Sequence, residues 1–189
     1  MDKRWQQVGD VLVNYSTEVQ PGERVMIAMI EPETFPLAHA VYDAVVRAGG
    51  YPQVQMLSER LRHSLLRHGS DEQLAWVPDI EAYGMEWADV YIGLRGAHNL
   101  YELAEVPTER LAANQVAMGK ISTLRWEKTR WCLSRVPNEA FAIQAQTDLE
   151  TILDMYFDAC LLDWPAAAKS WHAAAQRLDQ AGEVRILGE

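Results

Sequence analysis

The chain has 189 residues, 49% of them hydrophobic, and a net charge of −10 from 17 basic and 27 acidic side chains. That length and apolar share suffice for a buried core without disulfides, and the negative balance, with no basic run to override it, argues against nucleic acid as a partner. Residues 1–19 lack the apolar core of a signal peptide and no stretch of about eighteen apolar residues occurs, so a cytoplasmic protein is expected.

Trp5, Val8, Leu12 and Tyr15 recur at helical spacing, and Gln20-Pro21-Gly22-Glu23 then makes a turn. Arg24–Ile30 is a short apolar run without strict alternation, as in a parallel strand covered on both faces. Leu37, Val41, Ala44, Val45 and Ala48 form the stripe of a helix that stops at Gly49-Gly50, and Tyr51–Leu57 reads as a second strand. Residues 58–86 are helical in pattern but broken near Gly69 and Pro78, which predicts two short helices. Ala88–Leu94 is a third strand. Pro107-Thr108-Glu109 opens a helix to around Met118, and Thr129–Val136 is a fourth strand, closed by Pro137.

Thr147-Asp148-Leu149-Glu150 has the form of a capping box, followed by an apolar stripe of Leu149, Ile152, Leu153, Tyr156, Phe157, Cys160 and Leu161. Pro165 opens a further helix with Ala168, Trp171, Ala175 and Leu178 on one face, and Glu183–Leu187 reads as the start of another strand. Strands alternating with helices indicate an α/β fold: a mainly parallel sheet flanked by helices on both faces, with a helical carboxyl-terminal segment. The expected division is a three-layer α/β domain over 1–146 and a tail over 147–189, whose last strand leads toward a further domain.

Phosphate-binding loops, the GxSxG elbow and the HExxH motif are all missing. Cys132 and Cys160 match no metal or redox spacing and read as buried free thiols. His39, His63, His68 and His172 read as surface or boundary residues. Glu150, Asp154 and Asp158 form a row of carboxylates that reads as a solvated face, although such a row can also bind a hard cation. Arg125-Trp126 and Arg130-Trp131 suggest guanidinium stacking on indole, with the tryptophans packed in the core. Arg95, His98 and Asn99, following the third strand, are the candidate substrate-binding residues, because ligands of open α/β sheets sit beyond the carboxyl ends of the strands. No catalytic, cofactor or metal residue stands out.

Pro21-Gly22-Glu23-Arg24-Val25, Pro36-Leu37-Ala38 and Arg47-Ala48-Gly49-Gly50-Tyr51-Pro52 resemble the opening of the aminopeptidase T and aminopeptidase S family of metallopeptidases. Arg130-Trp131-Cys132, Val136-Pro137-Asn138-Glu139-Ala140-Phe141-Ala142, Tyr156-Phe157-Asp158-Ala159-Cys160 and Leu162-Asp163-Trp164 continue the likeness in family order, while Gln144-Ala145-Gln146 departs from the family's small-residue turn. The resemblance implies the amino-terminal, non-catalytic part of a metal-dependent aminopeptidase acting on short peptides. The parent enzyme's zinc, cobalt or magnesium would then be held by a carboxyl-terminal catalytic domain, and a homo-oligomer is implied. The competing expectation is a stand-alone α/β module that binds a small molecule or protein through the loop around Arg95–Asn99.

Overall fold

The computed structural model describes residues 2–188. Four strands, β1 (Arg24–Ile30), β2 (Tyr51–Leu57), β3 (Val90–Arg95) and β4 (Arg130–Arg135), form one all-parallel sheet in the order β2-β1-β3-β4. Ile27 of β1 is fully buried and lies in register between Val54 of β2 and Ile92 of β3, which explains the unbroken apolar run in the sequence. The structure thus agrees with the expected α/β architecture.

Helices cover both faces. On one face α1 (Lys3–Asp10), its continuation as a π-helical turn (Val11–Ser16), and α2 (Phe35–Arg47) bury Val8, Val13, Leu37, Val41 and Val45 against the sheet. On the other, α5 (Asp79–Trp87) and α6 (Thr108–Lys128) enclose Met26, Ala28, Met85, Tyr91 and Ile121. Between β2 and β3 the chain makes three helices rather than the expected two: α3 (Glu59–His68), α4 (Asp71–Ala75) and α5. Ser70 caps α4 in a full capping box with Gln73, a start signal hidden in the polar stretch after Gly69. Helix α6 also runs ten residues beyond the expected end near Met118, because Gly119 interrupts the pattern without breaking the backbone and Ile121 still reaches the core.

After β4 come α7 (Glu139–Gln144), α8 (Leu149–Cys160) and α9 (Trp164–Asp179). Asn138 caps α7 by accepting from the amides of Ala140 and Phe141. The helix ends in a Schellman turn, with Gln146 N–H on Ile143 O and Thr147 N–H on Ala142 O. The turn forms although Gln146 (φ 55°) takes the left-handed position that a small residue favours. Helix α8 is capped by Asp148, which accepts from the Thr151 amide at 2.8 Å, and not by Thr147, whose own amide belongs to the preceding turn. Its stripe joins the first core. Phe157 is 1% exposed and packs edge-on against Trp5 with ring centroids 4.7 Å apart.

Helix α9 buries no side chain. Trp164 touches Tyr15 and Trp171 across 6.2 and 5.6 Å, and the rest of its expected apolar face is left toward solvent. The strand expected at Glu183–Leu187 does not form. Residues 183–188 are irregular and exposed, because a strand needs a partner ladder for its backbone and this segment pairs with neither sheet edge.

Candidate functional site

Strands β1 and β3 lie side by side, yet the chain leaves β1 for α2 on one face and leaves β3 for α6 on the other. Such a divergence opens a crevice at the carboxyl ends of the strands, the usual ligand position in a doubly wound sheet. A groove of about 690 Å³ lies at this end, lined by Arg60 at the start of α3, by residues 98–102 of the β3–α6 loop and by Glu139, Ala140, Ile143 and Gln144 of α7.

Close packing fixes the floor beside it. Glu31 follows β1 at φ 71°, a conformation that costs a non-glycine residue on the order of 1–3 kcal/mol, and its carboxylate is buried. The carboxylate accepts from the Ser58 hydroxyl at 3.0 Å and the Glu59 amide at 2.6 Å, so it caps α3 and ties the ends of β1 and β2 together. Arg60 stands 3.8 Å from the same carboxylate. Gly96 lets the next loop leave β3 flush with this turn, since a Cβ there would lie 2.7 Å from Thr34 Cγ2 and 2.8 Å from the Ile30 carbonyl.

Of the three residues expected from sequence, His98 and Asn99 line the groove and Arg95 does not. Arg95 is the exposed last residue of β3. Asn99 Oδ1 accepts from the Tyr101 amide at 3.0 Å, shaping the crest of the loop. His98 Nδ1 sits 2.8 Å from Glu33 Oε1, while Glu33 Oε2 is buried without a hydrogen-bond partner. Burial raises the Glu33 pKa, but the His98 bond, a backbone amide and the charges of His98 and Arg60 outweigh it and hold the carboxyl below its ordinary value. Glu102 is paired in turn with His63 Nδ1 at 2.9 Å. Asn138 donates to the Ala97 carbonyl at 2.6 Å, joining the loop to the start of α7.

Arg60 and Glu139 carry no mark in the sequence because each arrives from an element other than the β3–α6 loop, and Glu102, within that loop, reads as an ordinary polar residue. A polar residue in the first turn of a helix carries no sequence mark of what it faces. The groove offers both signs of charge, amide groups and the exposed rims of Tyr101 and Ile143, which suits a zwitterionic ligand with an apolar side chain better than a phosphate.

The remaining candidates have structural uses. Asp154 is 2.5 Å from Arg4, whose guanidinium also lies 4.3 Å from the Phe157 ring centroid, so the carboxylate row is a solvated helix face carrying an ion pair. Arg125 sits among Tyr91, Trp126 and Trp131 at 5.1 to 5.8 Å, but Trp126 and Trp131 remain largely exposed rather than packed in the core as expected. Cys132 and Cys160 are free and partly buried, and burial drives the Cys132 thiol up to about 12. Among the described residues no group of three or more His, Cys, Asp or Glu side chains gathers as a metal centre, and none of the described helices is long and apolar enough to cross a membrane. A catalytic metal therefore does not fit the residues described.

No curated protein matches the chain. Among solved structures, wild-type AmpT from Thermus thermophilus is similar in fold, with a TM-score of 0.71 at 16% identity over 92% of this chain and 46% of that one. This chain thus spans less than half the length of that protein. A crystal structure of CurK enoyl reductase aligns at a TM-score of 0.34 and 10% identity over 98% of this chain and 51% of that one, too low to inform the fold. The family model described as thermophilic metalloprotease (M29) matches residues 1–184, and the chain belongs to that family.

Proposed function

We propose that this chain is the amino-terminal, non-catalytic part of a metal-dependent aminopeptidase that removes amino-terminal residues from short peptides. The observation that carries the proposal is a peptidase family match across 1–184 in a chain whose described residues gather no metal ligands. The two fit together if the divalent metal, whether zinc, cobalt or magnesium, is held by a carboxyl-terminal catalytic domain that partners this one. There it would polarise the scissile carbonyl and supply hydroxide. In this reading the protein is cytoplasmic. The groove faces that partner, and His98 and Asn99, with Arg95 beside them, contact the peptide or restrict its length. The exposed apolar tail supports assembly into a homo-oligomer.

Calorimetric titration of the isolated chain with each metal, alongside hydrolysis of short peptides, tests the proposal. No stoichiometric site and no turnover are expected, with activity appearing when a catalytic half of the family is supplied in trans. Metal-dependent turnover by the isolated chain would overturn the non-catalytic assignment. Tight peptide binding by this chain, with no activity in the complemented pair, would favour a stand-alone binding module that uses the same groove.

A further inference from the structure

The sheet order leaves two open edges, β2 and β4, and they differ in what they offer. In a parallel pair, alternate residues turn their main-chain N–H and C=O toward the neighbouring strand. On β2 the Tyr51 amide bonds Glu23 O and the Leu57 carbonyl accepts from Glu31 N–H, so Pro52, Val54 and Met56 face outward. Pro52 has no N–H, and proline on an edge strand blunts it against further pairing. On β4 the amides of Arg130 and Val136 bond Asp89 O and Arg95 O, so Trp131, Leu133 and Arg135 face outward with all three donors intact. Among the described residues none of these three finds a main-chain partner beyond the strand.

The side chains beside the β4 edge suit a contact surface. Trp131 and, from the end of α6, Trp126 are exposed, and Arg125 stands by both indoles with its Nε buried and without a hydrogen-bond partner. Lys128 and Arg135 add positive charge. The same chain carries a segment with the complementary need. Residues 183–188 are irregular and exposed, yet Val184, Ile186 and Leu187 give them the composition of a strand, and Glu183 stands at their start.

We infer that residues 183–187 of one copy add as a fifth strand to the β4 edge of a second copy. Strand addition of this kind specifies how the proposed homo-oligomer is joined, and it rests on that part of the proposed function alone. Main-chain hydrogen bonds to Trp131, Leu133 and Arg135 supply the attraction, and alternate side chains supply the fit. Val184 and Ile186, two residues apart, share one face of an extended segment, as do Trp131 and Leu133 on β4. Glu183 brings a carboxylate to an edge that carries Arg125, Lys128 and Arg135. Exchange of tails in both directions closes the pair as a dimer. The β2 edge, short of one donor at Pro52, is the poorer site.

Amide hydrogen exchange of the full chain over a concentration series reads the edge directly. Protection of the Trp131, Leu133 and Arg135 amides is expected to rise roughly tenfold as the chain associates, while Val54 and Met56 on β2 stay unchanged. Ile186→Pro should abolish that rise, and because Ile186 is 91% exposed the variant keeps its fold, as circular dichroism would report. An excess of a synthetic peptide of residues 180–189, added to dilute native chain, should protect the same three amides. Self-association that leaves them unprotected, or protection that survives Ile186→Pro, would overturn strand addition and leave a homo-oligomer joined elsewhere. Protection already complete at the lowest concentration would mean that the chain's own tail occupies the edge, which overturns it too. A chain that stays monomeric throughout would remove both the added strand and the homo-oligomer, with the metal titration and the complementation of activity unaffected.

Discussion

At the scale of single residues, two left-handed positions end two helices in the same way and are filled by opposite choices. Gly49 (φ 81°) follows α2, where Gly49 N–H bonds Val46 O and Gly50 N–H bonds Val45 O, and a Cβ on Gly49 would lie 3.2 Å from Pro21 Cβ. Gln146 fills the equivalent position after α7 with a side chain that has to tolerate the strain. Urea unfolding is expected to show Gly49→Ala less stable by about 1–2 kcal/mol and Gln146→Gly more stable by about 0.5–1 kcal/mol. The Asp89 carboxylate joins the starts of β3 and β1, accepting from Nε and Nη2 of Arg24, both at 3.0 Å, and from its backbone amide at 2.9 Å. The Arg24 hydrogen bonds lower its pKa to about 2. Because that pKa is depressed, the stabilisation is present above the unfolded carboxyl value and disappears as pH falls toward about 2. Both side chains are more than a third exposed, so water screens the pair and its contribution is small. The stability gap between the native chain and Asp89→Asn should shrink steadily when unfolding is measured from about pH 5 down to about pH 2.

At the scale of elements, α8 and α9 look alike in sequence and behave differently in the fold. Both carry three-four apolar spacing, but α8 finds Trp5 and the first core whereas α9 finds no surface to bury itself on. Phe157→Ala is expected to cost about 3–5 kcal/mol in urea unfolding, the range for deleting a fully buried aromatic ring. Removing residues 165–189 should shift the same transition by less than about 0.5 kcal/mol, because the described part of that segment has little buried surface to lose.

At the scale of the whole molecule, the tail is where apolar surface remains unspent. Trp171, Leu178, Val184, Ile186 and Leu187 are all exposed, an accumulation that in soluble proteins marks a contact site. Light scattering over a concentration series is expected to show the full chain self-associating and the chain without residues 165–189 remaining monomeric. Equal masses for both would remove the tail from the proposed assembly.

The order of strands and helices was legible because each segment's hydrophobic period is a local property: Val25 to Met29 must be covered on both faces wherever they go, and Leu37, Val41 and Val45 must face a core. Family likeness was legible for the same reason, being carried by short contiguous runs such as Val136–Ala142. The groove was legible only in its β3 loop. His98 and Asn99 follow a strand that announces itself, but Arg60 and Glu139 reach the groove from separate elements, and the His98–Glu33 and His63–Glu102 pairs join residues 65 and 39 positions apart. Sequence by itself therefore determined which segments form a parallel α/β sheet and which family it belongs with, since both follow from local pattern. Tertiary structure alone decided that α8 is core and α9 is surface, that 183–187 stays unpaired, and that Arg95 lies outside the groove that His98 lines. Those outcomes depend on whether a partner surface lies within reach once the chain is folded, and no local pattern encodes that distance.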